Sequence, residues 1–231
     1  MDRNKKLSVA GNALIAVTVA IAIFFMMTGT SDEGRLTLGG LSAFKYFTIE
    51  SNAFVMLAAI LFSARENRSD SGEPPKWLYI VKLAATGSVA LTMLVTVVFL
   101  GPNSTQGYFA MFSGPNLYFH LLVPLVSIAV FILFEKTRSL RFADSLWGLL
   151  PTALYAAGYA VNVFSHAENG SVSEKYDWYG FVRQGTDKAI IPVAAMLGAS
   201  LVISTLLWLG NRAGAPDRGQ DGKAGETEAD G

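Results

Sequence analysis

The chain has 231 residues, 52% of apolar types and only 16% charged, with a mean hydropathy of +0.38; a soluble domain carries roughly 25% charged residues. Eighteen Lys and Arg balance eighteen Asp and Glu, which argues against a polybasic nucleic-acid binder. Cysteine is absent and histidine occurs twice, so disulfides, thiolate metal sites and a catalytic thiol are excluded, and a multi-histidine metal site is hard to build.

The few charges are clumped. Residues 7–31, 83–134, 145–167 and 189–211 carry none. A spanning helix needs about 20 mostly apolar residues to cross about 30 Å of hydrocarbon. Six spans follow in chain order, near 7–27, 44–64, 78–101, 116–134, 147–165 and 189–209. The long charge-free stretch divides into two spans because Gly101-Pro102-Asn103-Ser104 and Gly114-Pro115-Asn116 are turn signals inside it. The first span is too long for a cleaved signal peptide, and no clear small-x-small site follows it. The predicted fold is an all-α polytopic membrane domain over residues 1–210. Residues 211–231, rich in Gly, Asp and Glu, form a disordered tail.

Cations fix the expected orientation. Arg3, Lys5, Lys6, Arg65, Arg68, Lys76, Lys136, Arg138, Arg141, Arg212, Arg218 and Lys223 fall on one side, and Arg35, Lys45, Lys175, Arg183 and Lys188 on the other. Twelve against five places both termini in the cytoplasm. Lys82 sits inside a span and is expected to snorkel to the headgroups. The loop at 166–188 carries Tyr176, Trp178, Tyr179 and Phe181. Aromatics at this level usually form an interfacial belt, with a lid over an outer cavity as the alternative.

Inside spans, polar residues are informative because they are expensive there. Thr48, Ser51 and Asn52 share a helix face by their i, i+3, i+4 spacing; Glu50 lies about 200° round from Thr48. Asn116 and His120 are i, i+4, and Pro124 can leave the carbonyl of His120 without its helical partner. Tyr155, Tyr159, Asn162 and His166 form one stripe. Thr48 and His120 both fall roughly 6–8 Å below the outer boundary at 1.5 Å per residue. Asn162 and His166 reach that layer from the opposite direction. The plainer readings are a Thr bonded to its own i−4 carbonyl, Asn and His joining helices, and an interfacial His166.

The box Tyr46-Phe47-Thr48-Ile49-Glu50-Ser51-Asn52 resembles the YFT-x-x-SN box of the bacterial six-span Pr-six-Pr membrane family. That family is in turn similar to the androgen-induced family of integral-membrane threonine hydrolases, which cleave fatty acid esters of hydroxy fatty acids. Phe44-Lys45-Tyr46-Phe47-Thr48 matches the first motif of the hydrolases, and Asn116-x-x-x-His120 with Pro124 matches the second. The resemblance implies a bacterial cytoplasmic membrane, Thr48 as nucleophile and His120 as base. Glu50 stands where related boxes often have Gln, and Leu121 and Leu122 replace the hydroxyl residues that follow the hydrolase His.

The chemistry this implies is coherent. A Thr hydroxyl is a weak nucleophile that needs an adjacent base, and an imidazole suits that task near neutral pH. Asn52, Asn116 and Asn162 have amide donors for an oxyanion, with Tyr159 and Glu50 as further substrate-facing candidates. The substrate of a site at this depth is a membrane lipid or lipid-like ester. No nucleic acid, metal or other cofactor is expected, since neither ligand spacing nor a phosphate-binding loop is present. The alternative is a non-enzymatic transporter or ligand-sensing protein that uses Glu50 and the Tyr155/Asn162 stripe.

Overall fold

A computed structural model describes residues 3–28, 40–68, 73–168, 171–182, 185, 189–213 and 215. Its named elements are all helices: α1 (Arg3–Thr28), α2 (Phe47–Arg68), α3 (Lys76–Leu100), α4 (Pro115–Leu133), α5 (Leu150–Ser165) and α6 (Ile190–Arg212). Among the described residues, five of these are long and apolar enough to cross a membrane. The sixth, α5, has 16 residues and so about 24 Å of rise. A 3-10 helix, Phe142–Leu149, runs directly into it where Pro151 occupies the first turn. The expected 147–165 span is therefore a shorter α-helix on a tighter-wound foot. α6 continues through Asn211 and Arg212, past the expected start of the tail; most of that tail lies outside the described residues.

The burial pattern shows what each helix faces. In α1 the buried residues are Ser8, Asn12, Ile15, Val19, Ala22 and Met26. Their alternating spacing of four and three makes a single seam. α3 is buried almost continuously from Lys82 to Thr92, so it is the central helix, packed by α2, α4, α5 and α6. α1 packs outside it against α2 and α4. Small side chains let these helices approach. Ala58, Ala59 and Ala85 sit in the main apolar cluster with Val55, Val89 and Val130. Ser204 of α6 fits between Gly87 of α3 and Gly148 of the 3-10 helix, and a Cβ on Gly148 would collide with it.

Large apolar side chains also face outward, including Leu14, Phe24, Leu57, Leu61, Val202 and Leu206. In the most apolar windows of α1 and α6, only 28% and 17% of residues are buried. A water-soluble monomer does not expose so continuous an apolar belt. The helices fit an integral membrane protein, with lipid solvating what the bundle leaves uncovered.

The end of the bundle that carries Arg3 and Arg212 is closed by polar side chains. Lys82 does not snorkel: it is fully buried, its ammonium 3.0 Å from Glu135 Oε1 and also bonded to Asn12 Oδ1. Asn12 Nδ2 donates to the same Glu135 oxygen at 2.6 Å, and the Ser8 hydroxyl donates to Glu66 at 2.7 Å. The Asn211 amide donates to the carbonyls of Phe131 and Glu135, both at 2.7 Å, capping the last turn of α4. Lys82 departs from the snorkelling rule because Asn12 of α1 and Glu135, just after α4, meet its ammonium inside the bundle. Nearby, Lys76 pairs with Asp144 at 2.6 Å. Burial opposes ionisation of Asp144, but the Lys76 ammonium and the Arg141 N–H hold its carboxyl below the usual aspartate range.

Candidate functional site

The opposite end of the bundle is irregular for a reason visible in the sequence. α3 finishes in a π turn, Thr96–Leu100, closed by the Gly101 N–H on the Thr96 carbonyl at 2.8 Å. α4 begins after Gly114, whose φ of 54° admits few other residues, and has Pro115 in its first turn. It then passes through a second π turn, Tyr118–Leu122. The Val123 N–H reaches back five residues to Tyr118. The corresponding partner of Phe119 would be Pro124, which has no N–H. The freed carbonyl is thus that of Phe119, one residue before the one expected from Pro124 and a regular helix. Asn52 fills the gap, donating to Phe119 at 3.2 Å and to Thr48 O at 2.8 Å. Its amide joins α2 to α4, and its buried Oδ1 has no partner among the described residues.

The wide turn carries His120 to α3. Its Nδ1 lies 2.9 Å from the Thr96 hydroxyl, so the hydroxyl that meets the imidazole is that of Thr96. With the proton on Nε2, Nδ1 accepts the Thr96 O–H. Thr48 and Thr96 line one cavity of about 450 Å³ bounded by α3, α5, α6 and the start of α2. Its walls are chiefly apolar, with Leu91, Val95, Ala156 and Met196 among them. The Thr48 side chain makes no hydrogen bond among the described residues and is half-buried. π turns recur at functional sites because they re-aim side chains; here two of them frame the Thr96–His120 contact.

The aromatic loop after α5 folds over this cavity, so the lid describes it better than a lipid-facing belt. Asp177 organises it. The carboxylate is buried and accepts the Phe181 N–H at 3.0 Å, the Val182 N–H at 3.2 Å and the Tyr159 hydroxyl. Trp178 Nε1 donates to the Tyr155 hydroxyl at 3.2 Å, which itself donates to the Lys45 carbonyl at 2.5 Å. The Phe47 N–H donates to the Tyr179 hydroxyl at 3.1 Å. Burial pushes the Tyr179 phenol up. Tyr179 and Phe181 stack, with ring centroids 5.2 Å apart, and both line the cavity.

The stripe expected on α5 holds this lid. Tyr155 and Tyr159 bond it as described, and Tyr159 also lines the cavity. The Asn162 amide donates to the Tyr176 carbonyl at 2.8 Å. His166 is exposed and stacks on Tyr176, with centroids 3.7 Å apart. Asn116 is buried at the start of α4. Glu50 is exposed and lines a separate groove between α2 and α5. Thr96 and Asp177 went unread in the sequence. Thr96 stands four residues before the end of α3, at the depth of His120 counted from the other direction, and that was its only signal. Asp177 gave none, since its role arises from loop folding.

Among the described residues no group of three or more His, Asp or Glu could hold a metal ion. The chain matches no family model, no curated protein and no solved structure.

Proposed function

We propose that the protein is an integral-membrane lipid-ester hydrolase whose reaction takes place at the lid end of the bundle. The carrying observation is a threonine hydroxyl within 2.9 Å of an imidazole at the wall of an apolar, lidded cavity. The cavity volume falls in the usual range for a small-molecule site, about 300–1,000 Å³, and its walls suit an acyl chain. In this reading Thr96 Oγ attacks the ester carbonyl carbon and its proton passes to His120 Nδ1. Collapse of the tetrahedral intermediate expels the alcohol, which takes that proton. Water then hydrolyses the acyl-threonine, with His120 again as base. Thr48, the nucleophile implied by the family resemblance, has an unoccupied hydroxyl on the same cavity and serves here as oxyanion donor.

The membrane frame is part of the proposal. The segment 147–165, α5 with the last turn of its 3-10 foot, is the sixth span. Both termini face the cytoplasm of a bacterial cell and the lid end lies in the outer leaflet, as the twelve-to-five cation count implies. A cysteine placed at 173 then reacts with an impermeant thiol reagent on intact cells, and one at 138 does not; the reverse pattern inverts the orientation.

The activity test uses purified protein and a panel of lipid esters that includes fatty acid esters of hydroxy fatty acids. His120→Ala and Thr96→Ala should each lower hydrolysis by about 10²–10⁴-fold, and Thr48→Ala by less. Loss in Thr48→Ala with Thr96→Ala active would exchange the two roles. No hydrolysis by the wild type, or none of the three substitutions lowering it, would sink the reading.

A further inference from the structure

A second cavity, about 530 Å³, lies between α2 and α5; neither Thr96 nor His120 lines it, and Phe47, Tyr155 and Tyr159 separate it from the first. Its upper wall holds Lys45, Glu50, Tyr155 and Trp178, and its lower wall is apolar, with Phe54 and Leu154. Lys45 is held in place from two directions. Its carbonyl accepts the Tyr155 hydroxyl, and its ammonium lies 5.2 Å from the Trp178 ring and 5.4 Å from the Tyr46 ring. Among the described residues no carboxylate pairs with that ammonium. The carboxylate of Glu50, one turn into α2, likewise has no hydrogen bond or ion pair among the described residues, although an unpaired carboxylate in a span is costly. One groove thus holds an ammonium and a carboxylate that do not neutralise each other, beside apolar walls.

We propose that this groove binds a bilayer aminophospholipid, a zwitterion with a phosphate and a primary ammonium. Its phosphate meets Lys45, and its ammonium meets Glu50 beside the aromatic ring of Tyr155. One acyl chain follows Phe54 and Leu154 down the α2–α5 groove. A purely anionic lipid satisfies only Lys45 and leaves Glu50 repelling its headgroup, so the groove discriminates by the second charge. The site is independent of ester hydrolysis and is tested by retention of lipid.

The full chain, stripped of lipid in detergent, is mixed with vesicles of equal phosphatidylethanolamine and phosphatidylglycerol and re-extracted, and retained lipid is counted by native mass spectrometry. The wild type should retain one phosphatidylethanolamine in preference. Glu50→Gln should cut that preference by about tenfold, and Lys45→Gln should weaken retention of both lipids. Leu154→Trp fills the channel from an exposed position without changing charge, and should exclude both lipids. Equal retention of the two lipids by the wild type, no retained lipid, or an unchanged preference in Glu50→Gln would overturn the proposal.

Discussion

At the end of the bundle that holds Arg3 and Arg212, Lys82, Glu135, Asn12, Ser8 and Glu66 meet one another across α1, α2, α3 and the turn that follows α4, and the Lys82–Glu135 pair is shut off from solvent. At the lid end, Thr48, Thr96 and Glu50 stand on cavity walls, and His120 touches one of those walls through Thr96. Both ends hold hydroxyl and carboxylate side chains inside the bundle. What separates structural use from candidate chemistry is whether the partners are other protein groups or open volume. A buried lysine whose charge is met by a glutamate and an asparagine stabilises a particular helix arrangement and has little left to offer a ligand. A threonine bonded to an imidazole beside an apolar cavity keeps both groups within reach of one.

The comparison breaks first at Lys82. Removing one partner of a buried ion pair strands the other, so Lys82→Met should cost about 3–5 kcal/mol, read as a large fall in the unfolding temperature of the detergent-solubilised protein. Lys82→Met with Glu135→Leu should recover most of that loss, because no charge is then left unpaired. Tolerance of Lys82→Met alone would show that this end is held together by something else.

Asp177 sharpens the other side. Asp177→Asn weakens hydrogen bonds to a charged acceptor, each worth about 1.5–3 kcal/mol, but those bonds hold the lid and not the helices. Backbone hydrogen exchange over 171–182 should accelerate about tenfold or more, while the global unfolding temperature barely moves. Unchanged exchange would mean that the aromatic stacking alone keeps the lid shut.

The smallest effect is expected at Asp144. Its carboxyl is held below the usual range when folded, so the Lys76 pair stabilises the protein above the unfolded aspartate value, about 3.9. That contribution is lost as pH falls through the lower folded value. Asp144→Asn should therefore be less stable than the wild type at neutral pH, by about 1 kcal/mol or less since Lys76 is partly exposed. The gap should close in strong acid. A gap independent of pH would show that the loss does not come from the charge of the carboxylate, on either Lys76 or the Arg141 N–H.

The spans were legible because charge is so scarce: wherever it vanished for twenty residues a helix formed, and five of the six segments are long enough to cross. The sixth escaped this test because Pro151 and the tight 3-10 turns before it shorten the regular helix. Lys82 was misjudged because a single lysine near the end of a span has two outcomes, and its partner Glu135 is 53 residues away. Depth counting set His120 level with Thr48, whereas the hydroxyl its ring meets is that of Thr96. Depth could not choose between Thr48 and Thr96, because that choice depends on the azimuth of each helix, which the π turns alter locally. The stripe on α5 was correctly aligned, yet its target, a loop clamped by Asp177, exists only once the chain has folded.

A regular α-helix turns by about 100° per residue, and a π turn inserts one residue into that count. The two halves of α4 are therefore out of phase. Below the turn, Val123, Ser127 and Val130 face the bundle at intervals of four and three, continuing the seam that α1 supplies from across. Above it the helix keeps a different clock, and the turn itself brings His120 to α3. One segment thus addresses two neighbours at angles that no uninterrupted helix could serve together. Removal of a single residue between 118 and 122 would set both halves to one phase. The lower seam would be preserved, and His120 would swing about 100° away from Thr96.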